Sequence, residues 1–503
     1  MNASLEAVAS FHPERHRAIA TAGLVCVIML GWLCLEIPKG TLVATDELLT
    51  AERSREMLST GPWLVHFNFR PSFEKPPLQY WLTSLTLPRL ENPSLAVRIW
   101  PVVYAVLTAV ALAWLVLTIE PHRPWLGPLS VAVLFSCPLF ATLATRGLLD
   151  IGLAFFTTAT ILFCELARKR PAWWLAAAAC CWLGSLQKNP LPFLVWLLVL
   201  AVRATSRNER SNLRDPWLGL SLVLAAFTMS AWPLLQLIRY RMPWWSVFHE
   251  EVIVWLGPAG LGTRSYFEIP IRMIINGGVS GLLALLAPFA VLFSRSEDKP
   301  PAIREIAIVS LVAITLAILS NFRHVRYIIP IIPVLCFLIA FLFYRLFERA
   351  GSARILTTVA VSTLLIAGFV QAKVEINHLE GKDDRNDPIN PLIPALIVPK
   401  DVTDERLIAE ELGTLQREGT KIVLVKAIKP GADLLWDSFY LFHGKLRSSV
   451  TKYTTEEIRA NPPQSPLIGV CVARDLPLLQ QLYPNLQVEM ARAQFICWQV
   501  ATQ

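Results

Sequence analysis

No Gly-rich turn ahead of a helix occurs in this chain, no zinc-type Cys/His spacing, and no internal repeat. The first absence removes the usual backbone cradle for a nucleotide diphosphate. The second removes a structural zinc site, and the third a solenoid or propeller. Charge is scarce as well. Only 17% of the 503 residues are charged while 54% are apolar, and mean hydropathy is +0.48. That balance excludes an ordinary soluble domain. Nine cysteines are present, but all except Cys471 and Cys497 fall in or beside long apolar runs, where cysteine behaves as a small apolar side chain.

What the chain does have is apolar runs near the length that crosses ~30 Å of hydrocarbon. About eleven are candidates: 18–37, 96–119, 125–143, 149–167, 172–187, 190–202, 216–237, 271–293, 304–320, 327–346 and 353–371. The run 172–187 and the run 190–202 are short enough to be kinked or re-entrant. The first run is too long for a cleaved signal peptide and lacks a small-residue cleavage site. It reads as a retained span with a cytoplasmic N-terminus.

Alternation from that start puts Arg168-Lys169-Arg170, then Arg203, Arg207, Arg210 and Arg214, then Arg295, Lys299 and Arg304, then Arg345, Arg349 and Arg354 on the cytoplasmic side. The opposite connectors hold fewer: Arg146, Lys188, and the pair Arg323 and Arg326. This is the positive-inside bias. The net charge of +8 is thus largely topological and gives no argument for nucleic acid.

Two long polar stretches then fall outside the membrane. One is the loop 38–95. The other is the tail 372–503, which opens with a polar, Pro-containing linker (Gly381 to Pro391). In the tail, β-like runs at 421–428, 465–473 and 493–500 alternate with helix-like runs at 404–419 and 454–461. That pattern predicts a small α/β domain. The expected organisation is a membrane domain, 1–371, followed by a soluble extracytoplasmic domain, 372–503. Cys471 and Cys497 both sit in expected strands, and a disulfide is feasible there if those strands are neighbours.

The loop 38–95 carries Asp46, Glu47, Glu52, Glu74 and Lys75 beside an apolar boundary, where charges are costly unless paired or used. Glu74-Lys75-Pro76-Pro77 keeps the chain extended, because two prolines fix φ and remove two donors. Lys75 there either meets a lipid phosphate with Glu74 orienting it, or makes a plain surface ion pair. Thr45 or Asp46 either N-caps a helix running Glu47 to Thr60 and ended by Gly61, or Asp46 is a general base. The apolar residues Leu48, Leu49, Ala51, Met57 and Leu58 suit a helix lying on the bilayer.

The stretch from Asp46 to Leu82, with its FEKPPLQYW segment, resembles the first extracytoplasmic loop of polyprenyl-phosphate-sugar glycosyltransferases of the GT-C fold. It is most similar to the bacterial 4-amino-4-deoxy-L-arabinose transferases of lipid A, with protein O-mannosyltransferases as distant kin. ATRGLLDIGLAFF with Asp150, GSLQKNP with Lys188, and RHVRYIIPIIP with Tyr327 follow in the family's order. Leu49 and Thr50 stand where relatives carry Arg-Tyr, Ser72 replaces an aromatic, and Val254 falls where relatives often have an arginine that Arg264 could replace.

The resemblance implies an α-helical polytopic membrane protein of GT-C architecture with an extracytoplasmic C-terminal α/β domain, in a bacterial inner membrane with its active site on the periplasmic face. It implies transfer of a sugar from a polyprenyl-phosphate donor to a lipid, glycan or protein acceptor. Asp46 and Glu47 take the catalytic positions. Glu74, Lys75, Lys188, Tyr327 and Arg264 take those around the donor phosphate. Asp150, His324 and Arg326 lie toward acceptor or sugar. No cofactor is required; a divalent cation on the carboxylates is compatible, and its ligands are unknown. Two rival readings remain open at this point: a flippase or transporter of lipid-linked sugar, and an inactive relative that only binds it.

Overall fold

A computed structural model describes residues 2–205, 212–241, 266–294, 300–320, 324–379, 401–426 and 437–501. Contacts divide the chain into two units. The first holds Met1–Glu36, Phe73–Gln79 and Arg98–Ile376; the second holds Ile37–Ser72, Tyr80–Val97 and Asn377–Gln503.

The first unit is helical: α1 (Asn2–Glu36), the start of α3 (Leu78–Thr86), most of α4 (Pro93–Ile119), α5 (Leu126–Phe135), α6 (Pro138–Ala144), α7 (Asp150–Ala167), α8 (Trp173–Gln187), α9 (Leu191–Thr205) and α10 (Pro216–Tyr240). Further helices run Glu268–Phe293, Pro301–Leu319, Ile332–Arg349 and Arg354–Leu379, with a 3-10 turn at Val325–Ile331. Among the described residues, eight helices are long and apolar enough to cross a membrane, or nine if the bent pair α5 and α6 counts as one. The sequence suggested about eleven. The difference lies at α8 and α9, each of 15 residues. At 1.5 Å per residue each reaches only about 22 Å, short of a full hydrocarbon core. The α5–α6 bend of 70° falls at Pro138, which starts α6 and cannot donate backward to α5.

Burial sorts these helices. In α7 and in the stretch Val325–Arg349, 83% of the best apolar window is enclosed; in α1 and α10 it is 17%, and in Arg354–Asn377 it is 11%. The poorly enclosed helices turn Val27, Phe227 and Ile355 outward, all more than half exposed. So many large apolar side chains would aggregate in water and are at home against lipid tails. The chain is therefore a multi-span membrane protein. α7 can be central because it is narrow and self-satisfied. Gly152, Ala154 and Ala159 let neighbours approach, and the hydroxyls of Thr157 and Thr160 donate to the carbonyls of Leu153 and Phe156 at 2.8 and 2.7 Å.

One end of the bundle is closed by a buried charge cluster. Arg203 Nε donates to both carboxylate oxygens of Glu305 at 3.0 and 3.1 Å, and its Nη2 lies 2.5 Å from Glu165. Arg168 bridges the same two acids at 2.9 Å each. Two guanidinium groups and two carboxylates balance, the condition under which buried ions are tolerated.

The second unit contains a short antiparallel pair, β1 (His66–Phe67) and β2 (Arg70–Pro71), and a five-stranded sheet: β3 (Lys421–Lys426), β4 (Val450–Thr454), β5 (Leu467–Val472), β6 (Leu486–Arg492) and β7 (Phe495–Val500), in the order β4-β3-β5-β7-β6. β4, β3 and β5 are parallel, while β7 pairs antiparallel with β5 and β6. One face packs on the helices Thr403–Leu415 and Asp437–His443, the other on Thr455–Ala460 and Leu476–Leu482. The expected strands and helices of the tail are present. The elements not read from the sequence include the edge strands β4 and β6, which alternate weakly and are largely exposed.

α2 (Thr45–Thr60) does not lie on the bilayer by its apolar side. Leu48 and Ala51 enter the same core as Ile408, Phe439 and Tyr440. The helix stops at Gly61, whose φ of +98° suits glycine.

Cys471 and Cys497 are both free thiols. Their strands are neighbours, but the register pairs Cys471 with Ile496 and Val470 with Cys497. An offset of one residue puts the two sulfurs on opposite faces of the sheet, in different cores. The feasible disulfide is not made.

Candidate active site

The first unit brings three of the motif residues together. Asp150 opens α7, Lys188 ends α8, and Tyr327 sits in the 3-10 turn. Lys188 Nζ lies 2.5 Å from Asp150 Oδ1, both groups buried. The same ammonium stands 5.3 Å from the centre of the Tyr327 ring, and the Arg326 guanidinium 5.8 Å from it. The His324 ring packs edge-on to Tyr327 at 6.2 Å, and its Nδ1 accepts from the Arg326 backbone N–H at 3.3 Å. Each cation gains from the ring quadrupole. The Asp150 carboxylate gives Lys188 the counter-ion that a buried ammonium requires.

Lys188 is also fixed through its neighbour. The Gln187 amide donates to Gln79 Oε1 at 3.0 Å and to the Leu149 carbonyl at 3.2 Å, and its oxygen accepts from Tyr104 Oη at 3.3 Å. Gln187 and Gln79 are fully enclosed. The bond links α8 to the helix that starts three residues beyond Lys75. Gly152 makes room for it, since a Cβ there would stand 2.4 Å from the Gln187 amide. Glu74 is exposed, Lys75 half-buried, and Pro76 and Pro77 are buried; the chain bends at Glu74, Lys75 and Pro77 instead of entering α3 as the extended segment the two prolines suggested.

The other loop residues belong to the second unit. Asp46 is half-buried in the first turn of α2 and Glu47 is fully buried. The N-cap residue is Ala44 and no side chain caps the helix. Neither Thr45 nor Asp46 serves as the cap, which answers that alternative. Two acids in the first turn suit the positive end of the helix dipole. Arg264, with Val254 and Arg323, lies outside the described residues. Among the described residues, no group of three or more His, Cys, Asp or Glu side chains is arranged to hold a metal ion.

The comparisons with known proteins agree on one architecture. A family model described as dolichyl-phosphate-mannose-protein mannosyltransferase matches residues 49–210. An undecaprenyl phosphate-alpha-4-amino-4-deoxy-L-arabinose arabinosyl transferase 2 from Sodalis glossinidius is 34% identical over 183 residues, 35% of this chain and 33% of that protein. The corresponding transferase of Pectobacterium atrosepticum is 29% identical over 221 residues, 42% and 39%. The chain thus spans about a third to two fifths of the length of these curated relatives. The crystal structure of ArnT from Cupriavidus metallidurans bound to undecaprenyl phosphate superposes with a TM-score of 0.66 at 17% identity, covering 94% of this chain and 97% of that one. The oligosaccharyltransferase of Archaeoglobus fulgidus gives 0.52 at 11% identity, covering 80% and 60%. The chain has the GT-C fold.

Within this GT-C chain, α2 also carries a cluster that sequence reasoning passed over. Arg55 is bidentate to Glu52 at 2.6 and 2.7 Å and donates to the Leu446 carbonyl at 2.7 Å. Arg53 is held between the rings of Phe67 and Tyr80, 5.7 Å from each centre, and donates to Tyr80 Oη at 3.0 Å. Glu56 Oε2 accepts the Phe69 N–H at 2.9 Å. That contact holds a turn in which Asn68 and Phe69 both have positive φ, +56° and +58°, a costly setting for a bulky residue. Asn68 secures the turn to the start of β4, donating to the Val450 carbonyl at 2.9 Å and accepting from its N–H at 2.7 Å. The only signal in the sequence was the spacing Glu52-x-x-Arg55-Glu56, which normally reads as a solvated helix face.

Burial, and then the charge of Glu52, push the Glu56 carboxyl up to about 8 from an ordinary 4.5. Between those values the folded loop binds one proton that the unfolded chain releases. Stability therefore falls with rising pH, by about 1.4 kcal/mol per unit, until the folded value is passed. Glu56→Gln keeps an acceptor for Phe69 and removes the titration. Its melting temperature is expected to be flat from about pH 6 to about 8 where the parent's declines. A parallel decline in both proteins would exclude Glu56 as the source.

Proposed function

We propose that this chain is an integral-membrane glycosyltransferase that moves a sugar from a polyprenyl-phosphate donor to an extracytoplasmic lipid or glycan. The observation that carries this reading is Lys188, a buried cation fixed by Asp150, Tyr327 and the Gln187 amide network within a GT-C fold. A fixed cation is what a departing phosphate needs. The similar arabinosyl transferases, named for undecaprenyl phosphate, supply the donor class, and the apolar outer helices offer a lipid tail surface at about 0.8 kcal/mol per buried methylene.

In the proposed reaction an acceptor oxygen attacks the anomeric carbon and forms the new glycosidic bond. The bond from that carbon to the phosphate oxygen breaks, and the electron pair leaves on polyprenyl phosphate. Lys75, Lys188 and Arg264 neutralise the phosphate, and Glu74 orients Lys75. Asp46, assisted by Glu47, takes the acceptor proton. Asp150 acts by holding Lys188. His324, Arg326 and Tyr327 complete the cationic, aromatic side that meets donor or acceptor. The orientation follows the basic connectors: charge-rich ends in the cytoplasm, Asp46, Lys188 and the tail in the periplasm of a bacterial inner membrane.

Donor chemistry tests the reading. Purified chain given a labelled polyprenyl-phosphate sugar and an extract of envelope lipids should label a lipid or glycan, and a nucleotide sugar alone should label nothing. Robust labelling from the nucleotide sugar would sink the donor assignment. Envelope lipids and glycans compared by mass spectrometry, with and without the gene, then name the sugar and acceptor.

A further inference from the structure

The helix Arg354–Leu379 is held unevenly. Its C-terminal half is pinned. Gly368 packs against the Ser136 carbonyl, where a Cβ would stand 2.1 Å away. Gln371 donates to the Ile275 carbonyl at 3.1 Å, Lys373 pairs with Glu36, and the Ile376 carbonyl accepts from Arg146 at 2.9 Å. Its N-terminal half has none of these ties, and Ile355 and Leu356 are 80% and 72% exposed. Where this half leaves the preceding helix, Ile332–Arg349, a groove of about 540 Å³ opens between them. Small side chains at Ala350, Ala353 and Ala360 make the space, and Phe343, Leu356 and Leu364 wall it.

The groove is apolar along its length and cationic at its end. Arg349 lines it. Arg345 and Arg354 flank it, their guanidinium groups stacked over Phe341 and Phe347 at 5.9 and 5.8 Å. The neighbouring acid, Glu348, is engaged by Arg123 at 3.1 Å. Arg349 and Arg354 thus place two guanidinium groups at the rim. An apolar slot of this volume suits a lipid-sized ligand, and a basic rim between spans suits an anionic headgroup.

We propose that this groove is a binding site for an anionic phospholipid, one acyl chain between the two helices and the phosphate on Arg349 and Arg354. It lies at the end of the bundle opposite Lys188, by the direction of the helices that carry each. In the orientation proposed above it opens to the cytoplasmic leaflet. The lipid would supply the packing that the unpinned half lacks, and it is neither donor nor acceptor.

The test is lipid retention by the full chain in nanodiscs of phosphatidylcholine mixed equally with phosphatidylglycerol, ejected and weighed by native mass spectrometry. The parent should retain phosphatidylglycerol in clear excess over phosphatidylcholine. Arg349→Gln with Arg354→Gln should cut that excess by roughly 25-fold, at about fivefold per basic residue. Ala360→Phe, which fills the slot and leaves the charges, should lose both lipids. Equal retention of the two lipids by the parent overturns the proposal. So does undiminished phosphatidylglycerol excess in the double variant, or unchanged retention in Ala360→Phe. None of these readouts depends on sugar transfer, so the site and the proposed activity fail separately.

Discussion

Lys188→Gln is expected to lower transfer by about 10²–10³-fold, the usual cost of removing one fixed group that stabilises developing charge. The variant also leaves Asp150 buried without its partner, and breaking such a pair can cost about 3–5 kcal/mol. Activity alone would then confuse misfolding with lost chemistry. The double variant Asp150→Asn with Lys188→Gln resolves this. Two neutral amides can still bond across the 2.5 Å contact after a small adjustment, so the double variant should melt near the parent and remain inactive. If Asp150 works through Lys188, then Asp150→Asn alone and the double variant should be nearly as inactive as Lys188→Gln, a non-additive pattern. Full additivity would give Asp150 a separate role, and a well-folded, active double variant would remove Lys188 from the reaction.

Asp46→Asn is expected to lower turnover by about 10²–10⁴-fold, the range for a lost general base, with stability changed by no more than about 1 kcal/mol. The stability half follows from the cap. The N-cap of α2 is Ala44, with no side-chain capping bond, so the substitution removes no cap. Its aspartate places a charge in the first turn, worth roughly 0.3–1 kcal/mol. Turnover against donor and melting temperature are measured on the same preparation. Near-parent turnover would leave Asp46 as a dipole partner and shift attention to Glu47.

The parts legible in the sequence were those with a period or a parity. Spans announce themselves by length, and alternation assigns Asp150, Lys188 and Tyr327 to connectors on one side; the structure then sets Lys188 against both partners. Strands β3, β5 and β7 were readable as apolar runs because both their faces are covered. β4 and β6 were not, since an edge strand has little to bury. The apolar side of α2 was visible, but a hydrophobic pattern says that a face is covered, not by what. Gln79 and Gln187 left no trace, because an amide pair 108 residues apart has neither spacing nor charge to mark it. The cysteine pair failed on register, which strand prediction does not supply.

The charge cluster at Arg203 bears on how the chain is made. Glu165 and Arg168 emerge first, then Arg203, and Glu305 follows 102 residues later. Until it does, two guanidinium groups share one carboxylate at the bilayer edge. The bundle end cannot become neutral before the helix Pro301–Leu319 has been synthesised. During that interval α7 and α9 are joined through Glu165 alone of the two acids, with one positive charge in surplus. A chain cut short before residue 305 therefore carries a surplus cation at that end of the bundle.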